Sequence, residues 1–261
     1  MLLAIDVGNT QTVIGLYDRD AERDGAAAGL LEHWRTATVS DRTADELAVI
    51  IRGFLEFGDW DFGDLTGLAI SSGVPRLTAS LRAMASRYLD FEPIVIEPGV
   101  KSGIAILYDN PREVGADRIA NAVGAYDLYG GATIVVDFGT GTTLDAISAD
   151  GEYLGGAIAP GVEISLEALF VRAAALRAVE LAEPRNVIGK STMESLQSGA
   201  LYGYAAQVDG MCRRFVDEMG ESTVIATGGL ASLIAPYTSE VEHVEPWLTL
   251  HGLRIVFERN Q

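Results

Sequence analysis

Two short segments concentrate the groups that could do chemistry. Asp6-Val7-Gly8-Asn9-Thr10 carries a continuous apolar run, residues 2–7, through an acid into a glycine turn, and Asp137-Phe138-Gly139-Thr140-Gly141 repeats the arrangement at the end of residues 133–138. Such a turn can aim backbone N–H groups and hydroxyls at phosphate while the carboxylate before it holds a cation. Either acid alone could serve only its own turn through Asx-type hydrogen bonds. A shift of 137 − 6 = 131 residues superposes Asp6 on Asp137, Gly8 on Gly139 and Thr12 on Thr143, and symmetric recurrence argues against two unrelated turns.

Three further segments could contribute. In Val114-Gly115-Ala116-Asp117-Arg118, Asp117 stands in the first turn of a helix, where a carboxylate suits the positive end of the dipole. Ser191 and Glu194 have capping-box spacing, which makes Thr192 the first helical residue. Thr227-Gly228-Gly229 is a strand-to-helix turn or a place where backbone approaches a flat ligand closely. The standard nucleotide loops do not fit. Gly189-Lys190-Ser191 ends like a Walker loop, but Pro184 stands where its first glycine belongs, and GTGTTL places Leu144 where the dinucleotide fingerprint needs glycine. The single Cys212 and the dispersed His33, His243 and His251 are assigned to structure or surface, with no local metal motif.

The elements that must position these groups form a duplicated α/β pattern. Residues 2–7 and 12–17 read as a hairpin, 18–29 as an exposed loop and LLEHWRTAT as a third strand. A helix (43–57), a strand (65–71), a helix (76–88) and a short strand (93–96) complete the first half. The second half offers a hairpin, a strand near 153–158, helices from about 162 and 192, the strand Thr223–Ala226, a helix from Gly229 and a short strand near 241–244. Between them, residues 116–128 place Ile119, Val123 and Tyr126 on one helical face, as a helix bridging two domains, 1–115 and 116–261. The long helix from 192 to 218 carries Leu196, Ala200, Tyr204, Val208, Met211 and Phe215 in one stripe, with Gly199 and Gly203 open to close packing in the core or between subunits.

Charge limits the partners. Nineteen basic against 37 acidic residues give a net charge of −18, which repels nucleic acid and anionic membrane surfaces. Only two of the basic residues are lysine, so an anionic substrate must be held by backbone N–H groups, hydroxyls, arginine or a metal ion. The uncharged stretch Ser222–Ser239 has the length of a membrane span but contains glycines and Pro236, so it reads as strand, turn and helix. With one cysteine and no positively charged leader before an apolar stretch, a cytoplasmic setting is expected.

IDVGNT and VDFGTGTT resemble the phosphate motifs of the superfamily of acetate and sugar kinases, heat-shock chaperones and actin, and VIATGGLA resembles its adenosine motif. Within that group the chain closely resembles the type III pantothenate kinases. IDVGNTQT, YDNPREVGADR, VVDFGTGTTLD, GGAIAPGV, VIGKST, QSGALYGY, TGGLA and LTLHGL follow in order along essentially the whole chain. Gly141 in place of the more frequent alanine, and Leu176-Arg177 in place of Leu-Pro, are its visible departures. The resemblance implies two duplicated ribonuclease-H-like (actin-like ATPase) domains with a nucleotide cleft between them. It implies ATP-dependent phosphorylation of pantothenate at its terminal hydroxymethyl group, the first step of coenzyme A biosynthesis, with Mg2+ and a monovalent cation such as K+ or NH4+. It assigns Asp6, Val7, Gly8, Asn9, Thr10, Gln11, Thr12, Val13 and Thr140 to ATP and Asp137 to the monovalent cation. It makes Asp117 the general base, assigns Tyr108, Gly115, Ala116, Asp117, Arg118 and Thr192 to pantothenate, and implies a homodimer. Another small-molecule kinase of the superfamily, or a non-catalytic regulator, is the rival reading; a regulator could dispense with Asp117 or Asp137, and both are present.

Overall fold

The computed structural model describes all residues apart from 22–24 and 173–177. The middle of the 18–29 loop and Leu176-Arg177 lie outside the described residues. The chain divides into two compact units, Met1–Leu128 with Trp247–Gln261, and Tyr129–Pro246.

In the first unit, strands β1 (Leu2–Val7), β2 (Gln11–Tyr17) and β3 (Leu30–Ala37) form an antiparallel meander, and helix α1 (Ala44–Glu56) leads to β4 (Gly67–Ser72), parallel to β1. Helix α2 (Pro75–Tyr88), β5 (Ile94–Val95), the two-residue β6 (Ala105–Ile106) and helix α3 (Ala116–Tyr129) follow. The sheet order is β3-β2-β1-β4-β5. The run LLAIDV is apolar on both sides because β1 is central and covered on both faces. Leu3, Ile5 and Val7 point into a core with Ile14, Leu16, Leu68 and Ile70 of the neighbouring strands and Ile51, Leu55, Leu77 and Leu81 of α1 and α2. Trp34 stacks on Phe54 at that core's margin, with 5.6 Å between ring centroids.

The opposite face of this sheet is paved with small residues. Ala4 pairs with Gly15 on one side and Ala69 on the other, and Leu2 pairs with Gly67. Helix α7 (Leu248–Arg259) lies on this pavement: a Cβ on Gly15 would stand 2.8 Å from Leu250 Cδ1, and one on Gly67 would stand 2.1 Å from the Phe257 ring. The sequence reading ends at the short strand near 241–244 and assigns no element here, and Gly252 and the β-branched Ile255-Val256 are weak helix formers. Burial overrides those propensities: Leu248, Leu250, Leu253, Ile255, Val256 and Phe257 are all buried. The units therefore differ from the expected division at 115/116, since both α3, up to Leu128, and α7 group with the first sheet. Helix α3 is buried on every side from Arg118 to Ala125, which its alanines and Gly124 permit, so its single-face pattern understates its packing.

The second unit repeats the topology. β7 (Thr133–Phe138), β8 (Gly141–Ile147) and β9 (Glu152–Pro160) form a meander, α4 (Val162–Arg172) and α5 (Thr192–Met219) follow, and β10 (Thr223–Thr227) runs parallel to β7, so that this unit's own strands take the order β9-β8-β7-β10-β11 with β11 (His243–Val244). The helix expected from Gly229 is only α6 (Ala231–Ile234), closed by a 3-10 turn at Ala235–Tyr237, where Pro236 cannot continue the ladder. On α5 the deepest line is Leu201, Ala205, Val208 and Cys212, beside the expected stripe, whose Tyr204, Met211 and Phe215 pack only partly buried. Among the described residues nothing stands within 4 Å of a Cβ placed on Gly199 or Gly203, so neither makes a close contact there. The Cys212 thiol is fully buried in this core, and burial pushes its pKa up to about 12. Among the described residues no helix is long and apolar enough to cross a membrane.

Candidate active site

The first turn, between β1 and β2, closes with the Gly8 N–H donating to the Gln11 carbonyl at 3.1 Å. Thr38, just past β3, holds it from the side. Its hydroxyl donates to the Gly8 carbonyl at 2.8 Å, its N–H donates to the Thr10 carbonyl at 2.9 Å, and its hydroxyl lies 2.9 Å from that of Thr12. Thr38 belongs to no motif the sequence reading singled out; only its polar run at the end of a strand could have drawn notice. The outcome is a braced turn whose Asn9, Thr10 and Gln11 are exposed, while Val7 lies in the core and Thr12 is buried. Gly8 is half-buried at the turn's start, and Val13 is half-buried opposite Asp6. By alternation Asp6 shares the face of Leu2 and Ala4, the face that α7 covers.

The second turn is braced differently. The Gly139 N–H donates to the Gly141 carbonyl at 3.0 Å, and the Gly161 N–H, beyond β9, donates to the Thr140 carbonyl at 3.1 Å. A Cβ on Gly161 would stand 2.2 Å from that carbonyl oxygen. Gly228, at φ +92°, presses in from β10: its Cβ would stand 2.4 Å from Asp137 Oδ1 and 2.7 Å from the Phe138 backbone. The TGG segment is thus a place of close approach, and what it approaches in this structure is the Asp137 turn. Thr140 is exposed. The register corrects the superposition of the two turns. Val7 pairs with Thr12 and Phe138 pairs with Thr142, so the second turn is one residue shorter and the counterpart of Thr12 is Thr142, not Thr143.

Asp117 is exposed on the first turn of α3, and its Oδ1 accepts the Arg118 N–H at 2.8 Å. Gly115 makes the room, since a Cβ there would stand 2.5 Å from that oxygen. One oxygen thus serves the helix end while the carboxylate remains open to solvent. Arg118 is 7% exposed, Ala116 is half-buried, and half-buried Tyr108 lies in the loop before the 3-10 turn Pro111–Glu113, which Asn110 caps. Thr192 opens α5 and is exposed; the Ser191 side chain accepts the Glu194 N–H at 3.2 Å. The expected capping box forms only this half. The Glu194 carboxylate instead accepts from Arg185 and from the Lys190 N–H at 2.9 Å, and those bonds, Arg185's first, hold it below the usual carboxylate range. The residues preceding Thr192 are pinned in this way.

The first unit therefore holds the Asp6–Val13 segment, Tyr108 and Gly115–Arg118, and the second holds Asp137, Thr140 and Thr192. Among the described residues no group of three or more His, Cys, Asp or Glu side chains is placed to hold a metal ion. A monovalent cation needs less: one carboxylate with backbone carbonyls is a hard, oxygen-only donor set. The Asp137 carboxylate lies between Gly139 and Gly228, in space that any Cβ would narrow.

Comparison with known proteins adds the family. The type III pantothenate kinase family matches residues 2–214. The type III pantothenate kinase of Streptomyces coelicolor is 54% identical over 270 residues, covering 100% of this chain and 98% of its own length. That of Moorella thermoacetica is 51% identical over 261 residues and 100% of both chains. Among solved structures, the ROK hexokinase of Thermus thermophilus superposes with a TM-score of 0.56 at 13% identity over 99% of both chains. The activator of the 2-hydroxyisocaproyl-CoA dehydratase from Clostridium difficile, with bound ADPNP, gives 0.55 at 10% identity over 99% of this chain and 94% of its own. At such identities the structures show the fold alone, the two-domain actin-like ATPase fold.

Proposed function

The chain belongs to the type III pantothenate kinase family, and from that premise we propose how its residues divide the work. The enzyme transfers the γ-phosphoryl group of ATP to pantothenate, the first step of coenzyme A biosynthesis. In the proposed division Asp117 takes the proton of the pantothenate hydroxyl as that oxygen forms its bond to the γ-phosphorus and the bond to the β-phosphate oxygen breaks, releasing ADP. Asp6 and the exposed Asn9, Thr10 and Gln11 face the ATP phosphates, with Thr140 on the second turn. Tyr108, Gly115, Ala116, Arg118 and Thr192 contact pantothenate, and Arg118 suits its carboxylate. Divalent metal bound with ATP neutralises charge on the transferred group. Asp137 and neighbouring carbonyls would hold K+ or NH4+, which offsets part of the repulsion between Asp137 and the polyphosphate.

The observation that carries this reading is the repeated topology. Asp6 and Asp137 occupy the same penultimate position of β1 and β7, each paired antiparallel with the next strand and parallel with the strand on its other side. Asp117→Asn should leave a folded, ATP-binding protein and lower turnover by about 10²- to 10⁴-fold, the usual contribution of a positioned base. Turnover at the wild-type rate would return Asp117 to a helix-end role alone.

A homodimer is part of the proposal. It is supported by exposed Gly199 and Gly203 on α5 together with exposed Ile158, Ile188 and Met193 in the same unit. Light scattering at assay concentration should give twice the 27.8 kDa chain mass, and a fully active monomer would defeat it. The buried thiol and the charge of −18 support a cytoplasmic enzyme that binds neither nucleic acid nor membrane.

A further inference from the structure

Helix α7 touches two parts of the first unit that the proposed chemistry has to keep in register. On one side it lies on the Ala4, Gly15, Gly67 and Ala69 face of the sheet, the face to which Asp6 also belongs. On the other it meets α3, the helix that begins with Asp117. That second contact is made at backbone distance. A Cβ on Gly252 would stand 1.9 Å from the Ala120 carbonyl oxygen, and one on Gly124 would stand 2.8 Å from the Leu248 carbonyl oxygen and 3.2 Å from the Gly252 nitrogen. Two side-chain bonds lock the axial position: the Thr249 hydroxyl donates to Asn121 Oδ1 at 2.7 Å, and His251 Nε2 lies 2.9 Å from Asp127 Oδ2.

The contact points on α3 are Ala120, Asn121, Gly124 and Asp127, one helical face, and Asn121 is one turn from Asp117 on that face, about 6 Å along the axis. Sliding or rotating α3 against α7 would carry the Asp117 carboxylate with it. We propose that α7 is the spacer that sets where the Asp117 carboxylate stands relative to the Asp6 turn, with Thr249 and Gly252 as positioning residues for phosphoryl transfer. The inference rests on the reading of Asp117 as the base.

Thr249→Val keeps side-chain shape and removes the donor. It should lower kcat by about tenfold, a fraction of the roughly 10²-fold that a 1 Å misplacement can cost, with the KM for ATP nearly unchanged. Thr249→Ser should restore the rate. Gly252→Ala should cost more, and because it forces two backbones apart and can fail to fold, Thr249→Val is the deciding variant. The readout that a merely structural role would not move is the double-mutant cycle: if Thr249 acts through Asp117, Asp117→Asn/Thr249→Val turns over no more slowly than Asp117→Asn. Thr249→Val at the wild-type rate beside a crippled Asp117→Asn, or losses that multiply in the double variant, would overturn the spacer role alone. Asp117→Asn at the wild-type rate would instead overturn the base and the spacer together.

Discussion

The two glycine turns follow equivalent strands, and a backbone N–H from beyond the third strand of each meander braces each, yet they differ in what else holds them. The first is held by atoms that are present, the Thr38 hydroxyl and N–H on the Gly8 and Thr10 carbonyls. The second, beside the Gly161 N–H on the Thr140 carbonyl, depends on Gly161 and Gly228 admitting backbone and carboxylate where any Cβ would intrude. A duplicated fold thus conserves the placement of an acid before a turn without conserving how the turn is stiffened. The two turns should fail to different substitutions.

The largest effect is expected at Gly228. Alanine there must adopt φ near +92° and place a methyl 2.4 Å from Asp137 Oδ1, which should destabilise the second unit by about 2–5 kcal/mol and abolish most activity. Thermal unfolding and an ATP-consumption assay would read both, and a variant of wild-type stability would break the contrast at once. Next in size is the ion. Activity in a magnesium-containing buffer should rise when potassium replaces a bulky organic cation at constant ionic strength, a dependence that screening, blind to ion identity, cannot produce. Asp137→Asn should remove that activation. Wild-type activity indifferent to potassium would leave Asp137 only its turn to order. The smallest effect is at Thr38. Thr38→Val leaves the Gly8 carbonyl without its hydroxyl donor and should cost about 1–2 kcal/mol, with a modest rise in the KM for ATP and recovery in Thr38→Ser. A loss as large as that at Gly228 would show that the first turn, too, is limited by space.

The hairpins, the acids before their turns and the head of α3 were legible because each is local: an apolar run, an acid and a glycine within a few residues. What stayed hidden depends on pairing. Ala4, Gly15, Gly67 and Ala69 are scattered in the sequence and become one pavement only when β2 and β4 are set beside β1. Without that pavement nothing announces α7, or its return to the first unit. The shorter second turn escaped because a constant shift of 131 residues matches Asp6, Gly8 and Thr12 with residues of the same type, and only the strand register shows that the third match, beyond the turn, is one residue out. Glu194 followed its capping spacing for one bond and not the other, because Arg185 and the Lys190 N–H compete for the same carboxylate.

The distribution of two rare residue types makes the halves separately visible. Trp34, Trp60 and Trp247 all belong to the first unit, while the lone thiol, Cys212, is sealed in the core of the second. Indole emission therefore reports on one half, and the rate at which an alkylating reagent reaches the cysteine reports on the other, since that thiol stays protonated and covered until its surroundings open. With no substitution to introduce a probe, a single sample followed by fluorescence and by thiol modification can show which half loosens first.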